Sequence, residues 1–409
     1  MSDAALAARA GAPSWVTEKL LMGMSPRTYV RSLATRGNLI AGLILALGLP
    51  TIAYRFAYGL GSVTNLSQST PWGLWIGFDM LCGVALAAGG YTLASAVYIF
   101  GLKEYKAVVR PALLTGFLGY LFALLGLLAD LGQPWRIPYP IFYKHGVTSV
   151  MFEVGWCVFL YLTVLFLEFT PPVFEWLGWK TARRRALELT IGLTAFGVVL
   201  STLHQSSLGA LFLMAPGKLH PLWYSPFIPV YFFVSSIVAG LGMVIVESAL
   251  SHRIFHSLVD PRRPVDLDRI SIGLGRGAAV VLFGYFFLKL QGIAEGGHWG
   301  LLGTPYGVLY LVELLGFVLL PSLLFAVAVR AGDVAGVRRA AVLAVAGVVV
   351  NRLNVSIVAF NWNAAERYVP SLAELVVSVT LVTMGLLAFR WIVNRMPVLH
   401  EHAAFHSAH

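Results

Sequence analysis

PWGLWIGFDMLCGVALAAGGYTLASAVYIF (71–100) decides the fold: across this long apolar run Asp79 is the single charged side chain. As a helix rising about 1.5 Å per residue, such a run exceeds the ~30 Å of a bilayer's hydrocarbon layer. Similar runs recur along the chain, at approximately 38–58, 111–131, 147–169, 187–213, 226–250, 271–290, 305–329, 336–360 and 372–393. None alternates apolar and polar residues over the ~10 positions that a membrane β-strand requires. The expectation is therefore an all-α polytopic membrane protein of about ten helices over 38–393. An N-terminal segment, 1–37, precedes it and a His-containing tail, 394–409, follows. Pro71, Pro111, Pro171, Pro172, Pro226, Pro305 and Pro370 read as breakers at or near helix ends. Of 409 residues, 58% are hydrophobic and 12% charged. A chain this apolar has lipid as its solvent.

The net charge of +10 would suit nucleic acid, but the cations sit in short loops between apolar runs. That placement argues for membrane topology and against a nucleic-acid partner. Alternating sides from the N-terminus, 21 lysines and arginines collect on one side. The other side holds Arg55, Arg136, Lys144, Lys218 and Arg367. The positive-inside rule then puts both termini in the cytoplasm and favours an even number of helices. No cleavable signal peptide is visible in the first 37 residues. WVTEKLLMGMSPRTYVRSL (15–33) reads as an interfacial amphipathic helix or as a flexible tail.

The loops on the low-charge side are GSVTNLSQSTPW (61–72), GQPWRIPYPIFYKHG (132–146), APGKLHPLWYS (215–225), EGGHWGLLGTP (295–305) and NWNAAERYVPS (361–371). Their Trp, Tyr, Pro and Gly fit an interfacial aromatic belt, or a shaped surface for a docked partner or an amphipathic ligand. Beneath them lie ionisable residues, each costly in hydrocarbon unless paired or wetted. Counted from the outer helix ends, Asp79 and Glu153 lie about 9 Å deep, Arg352 about 12 Å and His204 about 13 Å. Asp130 and Glu374 mark the outer boundary, with Lys289 close by. Glu168 and Glu247 lie towards the cytoplasm and Glu313 near mid-membrane, so the three would extend a broken ladder inward as a proton path. The plainer alternatives are interfacial positions for Glu168 and Glu247, and a structural salt bridge for Arg352.

A bis-histidine haem needs two facing imidazoles inside the bundle. Only His204 lies well inside a helix, so no haem is expected. Cys82 and Cys157 both fall in apolar runs and read as small buried residues. No disulfide framework, metal site or iron–sulfur cluster is expected in this chain. Nucleotide-binding loops and zincin helices are absent. AAGGY (87–91) lies inside a helix, where small residues allow close packing.

PWGLWIGFD (71–79) resembles the signature of the NrfD/polysulfide-reductase family of quinone-reactive membrane subunits. Within that family the chain looks most like the HybB-type subunits of periplasmic nickel–iron hydrogenases. Further stretches carry the likeness in order: RPALL (110–114), TSVMFE (148–153), LEF (167–169), FEWLGWK (174–180), HQSSLG (204–209), HPLW (220–223) and RLNVSIVAFN (352–361). The resemblance implies an anchor in the bacterial inner membrane that carries no metal or haem. It would dock a periplasmic ferredoxin-like iron–sulfur subunit, and through it a hydrogenase or another catalytic subunit. Electrons would be exchanged with menaquinone near the outer face. The family's key acid falls on Glu153, a second acid on Glu247, its PWG-motif Asp on Asp79 and its histidine on His204. Two four-helix bundles, helices two to five and six to nine, are implied, with flanking helices. No internal repeat is legible in the sequence.

Quinone chemistry needs hydrogen-bonding groups at the ring oxygens and a group that exchanges protons. His204 and Asp79 are the candidates to contact the headgroup, and Glu153 the candidate proton shuttle. Trp72 and Trp75 would hold the ring and tail, and Arg352 would keep an acid ionised. Two other readings stay open. One is the membrane subunit of a menaquinone reductase or sulfur-compound reductase in the same family. The other is a secondary transporter with ions at the intramembrane acids.

Overall fold

A computed structural model describes residues 15–143, 145–258 and 265–399. Arg9, Lys144, Arg262, Arg263 and the histidine-bearing end 400–409 lie outside the described residues. Among the described residues, ten helices are long and apolar enough to span a membrane: α1 Arg36–Tyr58, α2 Trp75–Ile99, α3 Lys103–Asp130, α4 Val150–Leu177, α5 Lys180–Met214, α6 Ile228–Ile254, α7 Leu267–Gly296, α8 Pro305–Ala331, α9 Val334–Val358 and α10 Leu372–Val393. The chain is an all-α, multi-pass membrane protein. The ends bearing the aromatic loops are called outer below, after the charge asymmetry.

Two proline expectations need correction. Pro111 lies inside α3, and Pro171 and Pro172 lie inside α4. Proline removes a backbone donor, and in lipid the freed carbonyl needs another partner. In α4 that partner is local: the Thr170 hydroxyl donates to the Leu167 carbonyl at 2.6 Å, which the missing Pro171 amide leaves open.

Helices α2 to α5 pack around one axis and α6 to α9 around a second, while α1 and α10 pair and lean on α3. The two bundles meet where α2 crosses α6. AAGGY makes that crossing possible, because a Cβ on Gly240 would lie 2.8 Å from the Ala88 carbonyl carbon and 2.9 Å from the Gly89 nitrogen. Backbone cannot yield there. Gly240→Ala is therefore expected to destabilise the protein by about 1–3 kcal/mol. Gly284→Ala, which meets nothing within 4 Å, should be neutral or stabilising. Thermal melting in detergent compares the two variants.

Arg55 is another correction. It does not sit in an outer loop but is buried at the end of α1. Its guanidinium donates to the Ala129 carbonyl at 2.5 Å and to the Leu131 carbonyl. A cation at the C-terminus of α3 meets the negative end of its dipole and caps exposed carbonyls. Loop charge counting cannot separate such a cap from a solvated arginine.

Four outer loops knit into one cap. Leu219 and Phe360 form an isolated antiparallel bridge. Asn361 donates from its side chain to the Ser69 carbonyl at 2.9 Å, and Asn65 to the Val369 carbonyl at 3.0 Å. His220 stacks on Tyr306 at 4.5 Å. At the opposite end, buried Glu175 is held by Arg110 and Arg183, each at 2.7 Å. The N-terminal segment forms short helical turns at Val16–Leu20 and Pro26–Ser32. Arg395 ties both down, donating to the Leu20 carbonyl and the Tyr29 hydroxyl.

Candidate functional site

The ionisable residues expected in one outer layer face three different ways. A helix fixes depth through its rise and direction through its 100° turn. Only depth was counted in the sequence.

The first group lies inside the α2–α5 bundle. Glu153, half-buried at the outer start of α4, accepts a hydrogen bond from Ser207 of α5 at 2.5 Å. One turn inward on α5, His204 is fully buried. Its Nδ1 lies 2.9 Å from the Leu200 carbonyl, which can only accept, so that nitrogen carries the proton. Nε2 is then the acceptor for the Tyr120 hydroxyl. Gln205 also donates to Tyr120, at 3.2 Å, and to the Val84 carbonyl at 3.1 Å. Tyr161 meets Tyr120 edge-on at 4.8 Å and His204 at 5.4 Å. Two turns further inward on α4, Glu168 accepts from Thr194 at 2.6 Å. Carboxyl, phenol, imidazole, hydroxyl and carboxyl thus alternate down one bundle. The Tyr161 and Ser201 hydroxyls in this column are buried without a hydrogen-bond partner. Glu247 of α6 approaches Thr115 of α3, and its Oε1 is likewise without a partner.

Asp79 belongs to a second group, turned towards the flanking pair. Ser378 of α10 donates to it at 2.5 Å. Trp75, fully buried, donates from its indole to the Glu374 carbonyl at 3.1 Å. Trp75 packs against Val63, Ala129, Val377 and Leu381, away from Trp72. Glu374 accepts from the Asn65 and Ser371 amides at 3.0 and 3.1 Å, and from the Tyr368 hydroxyl. Asp130 nearby keeps one carboxylate oxygen buried and unpartnered.

Trp72 and Arg352 form the third group, between the bundles. Trp72 stacks on Phe360 at 5.2 Å and meets Phe212 edge-on at 5.7 Å. Trp72 and Phe360, with Thr70, Ser356, Trp362, Glu366, Arg367 and Tyr368, line a cavity of about 230 Å³. Arg352 is buried below, its guanidinium 3.7 Å from the Phe232 ring. It donates to Asn351, Ser235 and the Phe232 carbonyl at 2.8, 2.8 and 3.1 Å. Among the described residues it forms no ion pair, so it does not hold an acid by direct contact. Glu313 is not part of the first-bundle column either. It sits in the second bundle, 3.4 Å from Lys289 of α7. Wide π-helical turns, which re-aim side chains and favour functional sites, carry Asp79 and Glu313 and follow Arg352.

Tyr120, Tyr161, Ser207 and Ser378 complete these groups, and uncharged hydroxyls carry no hydropathy or charge signal that marks them in the sequence. A signal existed for Tyr161. Glu153, Tyr161 and Glu168 fall within about 80° of one another at 100° per residue, so they share one face of α4.

His220 in the outer cap makes a testable point outside the membrane. Its Nδ1 accepts from the Leu222 amide at 3.2 Å, which requires an unprotonated nitrogen. Burial, and secondarily the neighbouring His298, pulls its pKa below the ordinary histidine value. The unfolded chain therefore takes up the proton first as pH falls below about 6.5. The stabilisation from neutral His220 should be lost from that pH downward to its lowered native value. Melting temperature measured between pH 7.5 and 5 should fall less for His220→Gln than for the wild type. Equal slopes would contradict the assignment.

Ten spanning helices among the described residues, with ionisable side chains buried between them, define a multi-pass membrane protein. The polysulphide reductase, NrfD, family matches residues 62–362. The chain belongs to that family. It is 52% identical over 381 residues to a protein of Nitratidesulfovibrio vulgaris, covering 93% of this chain and 98% of that one. It is 33% identical to the probable Ni/Fe-hydrogenase 2 b-type cytochrome subunit of Escherichia coli, over 92% of this chain and 96% of that one. To the integral membrane subunit of menaquinone reductase from N. vulgaris it is 28% identical, over 86% and 88%.

Proposed function

We propose that this protein is the membrane subunit of a respiratory oxidoreductase and exchanges electrons between a periplasmic iron–sulfur partner and menaquinone. The partner would link it to a hydrogenase. The names of the relatives support a quinone-linked complex, and the 33% likeness to a hydrogenase subunit favours the hydrogenase. The single observation that carries the reading is the column from Glu168 through Tyr161, Tyr120 and His204 to Glu153. It sets proton-exchanging side chains at successive levels of one bundle, anchored by three separate hydrogen bonds. Such chains are expensive in lipid and mark proton routes.

Menaquinone, when bound, takes up electrons and protons on reduction and releases them on oxidation. The residues fit such a ring: aromatic walls at Trp72 and Phe360, and buried hydroxyl and carboxyl groups in the neighbouring bundle. Glu153 would hold the exchanged proton on a carboxylate oxygen, with Ser207 donating to Oε1 in the ionised form. His204, accepting from Tyr120 at Nε2, would pass a proton only by reversing that bond, which ties its tautomer to the Tyr120 hydroxyl. Glu168 and Glu247 would supply protons from the cytoplasmic half, making turnover electrogenic. The chain would lie in the bacterial inner membrane with both termini cytoplasmic.

The name of the E. coli relative speaks of a b-type cytochrome. In this chain both His204 ring nitrogens are already engaged, and a haem ligand would have to break one of those bonds. We therefore infer that the redox centres belong to the partners. The test is turnover of a soluble menaquinone analogue by the purified complex in liposomes. Electron transfer to or from the analogue is expected, with a membrane potential. A complex that never reacts with quinone would overturn the reading.

A further inference from the structure

The second bundle contains a charge network that the quinone chemistry above does not use. Glu313 of α8 accepts at Oε1 from Asn351 at 2.7 Å and faces Lys289 at 3.4 Å. At Oε2 it accepts from the Trp223 indole at 2.9 Å and from Asn354 at 2.8 Å. Asn351 in turn accepts from Arg352. Lys289 lies over the Tyr310 and Tyr231 rings at 4.9 and 5.6 Å. The Tyr285 hydroxyl beside them is buried and unpartnered. All three charged groups are at most 3% exposed.

Two cations face one anion, which leaves one positive charge in excess inside the membrane. An isolated Lys–Glu pair would be neutral and would need no further explanation. The excess comes from Arg352, whose partners are all neutral and which cannot shed its proton. A buried unpaired cation is strongly unfavourable unless something negative comes near it.

The network ends directly under the outer cavity. Ser356, in the cavity wall, donates to the Arg352 carbonyl at 2.6 Å. The ring beneath the Arg352 guanidinium, Phe232, packs on Phe212 at 5.7 Å, and Phe212 on Trp72 at 5.7 Å. Val358 and Val369, both exposed apolar residues, line the cavity together with Glu366 and Arg367, whose opposite charges add no net charge at its wall. None of Glu153, His204, Tyr120 or Tyr161 lines it.

We propose that the cavity beneath Trp72 binds a planar aromatic ring bearing an anionic oxygen, and that the excess positive charge of the second bundle selects the anionic over the neutral ring. Trp72 and Phe360 supply the stacking faces. Lys289, Glu313 and Arg352 are positioning residues that act through their field, not by contact. The choice of a naphthoquinone-type ring rests on the quinone reading above. The charge selection does not.

Calorimetric titration of the purified complex in detergent tests this with two probes. One is 2-hydroxy-1,4-naphthoquinone, anionic at neutral pH, and the other is neutral 2-methyl-1,4-naphthoquinone. Lys289→Met removes the excess charge, Glu313→Gln raises it by one, and the double variant restores it. For charges on the order of 10 Å apart in a protein interior, each step should change anion affinity about ten- to twentyfold. Lys289→Met should weaken binding of the anionic probe, Glu313→Gln should strengthen it, and the double variant should match the wild type. The neutral probe should respond to none of them, while Trp72→Leu should weaken both probes. If Lys289→Met fails to assemble, Glu313→Gln and the double variant still carry the sign test. Weakening by both single variants, no response, or equal effects on both probes would overturn the proposal, as would failure of the wild type to bind the anion. Quinone-linked turnover is scored separately in the same preparations, so its loss would count against the quinone reading and not against charge selection.

Discussion

Glu153→Gln is expected to lower quinone-linked turnover at least about a hundredfold while leaving the complex assembled. The two side chains have the same shape, and glutamine still offers an oxygen to the Ser207 hydroxyl, now 2.5 Å from Oε1. Packing around the start of α4 therefore has no reason to change. What is lost is the exchangeable proton at the outer end of the column. Proton transfer by a positioned side chain typically contributes about 10²–10⁴ in rate, and no second carboxyl shares this hydrogen bond. Steady-state reduction of a menaquinone analogue by the purified variant complex is the measurement. A rate within a few-fold of wild type would remove Glu153 from the chemistry.

The second large effect concerns assembly. Glu374→Ala should destabilise the protein by about 3 kcal/mol, because one carboxylate satisfies three donors from two separate loops. Its loss strands the Asn65 amide, the Ser371 amide and the Tyr368 hydroxyl, and it breaks the capping box that starts α10. An N-cap alone contributes about 1 kcal/mol, and each buried donor left unmade costs about 1–3 kcal/mol. The loops before α2 and before α10 would then separate, and the α1–α10 pair would loosen from α3. A melting temperature lower by roughly 5 °C or more is expected. Glu374→Gln, which keeps an acceptor oxygen, should recover part of it. If alanine and glutamine behave alike, the carboxylate is not what joins these loops.

The helices were legible because lipid imposes a one-dimensional rule: a spanning backbone must satisfy itself over some twenty apolar residues. Depth was legible for the same reason, since rise per residue is constant. Direction was not. Asp79 and Glu153 share a depth, yet Asp79 turns to Ser378 on α10 and Glu153 to Ser207 on α5. That difference depends on which helices neighbour α2 and α4, and charge and hydropathy do not record it. Glu313 looked like a rung of a proton ladder because its partner Lys289 lies on another helix, 24 residues away in sequence. Arg55 looked like a loop charge because the carbonyls that it caps belong to α3. Family resemblance pointed to Glu153 and His204, but it said nothing of Tyr120 and Tyr161, whose rings pack on each other and against His204. Trp72 and Trp75, three residues apart, part because Trp72 still lies in the loop before α2 while Trp75 begins the helix.

The most direct measurement is quantitative extraction of quinone from the purified complex, with an absorption spectrum of the same sample. The expected result is menaquinone in roughly stoichiometric amount, lost on substitution within the site, with iron–sulfur absorption from a co-purifying partner and no haem Soret band. A Soret band that stays with this chain, together with no extractable quinone, would contradict the assignment of this protein as a cofactor-free quinone-exchange subunit.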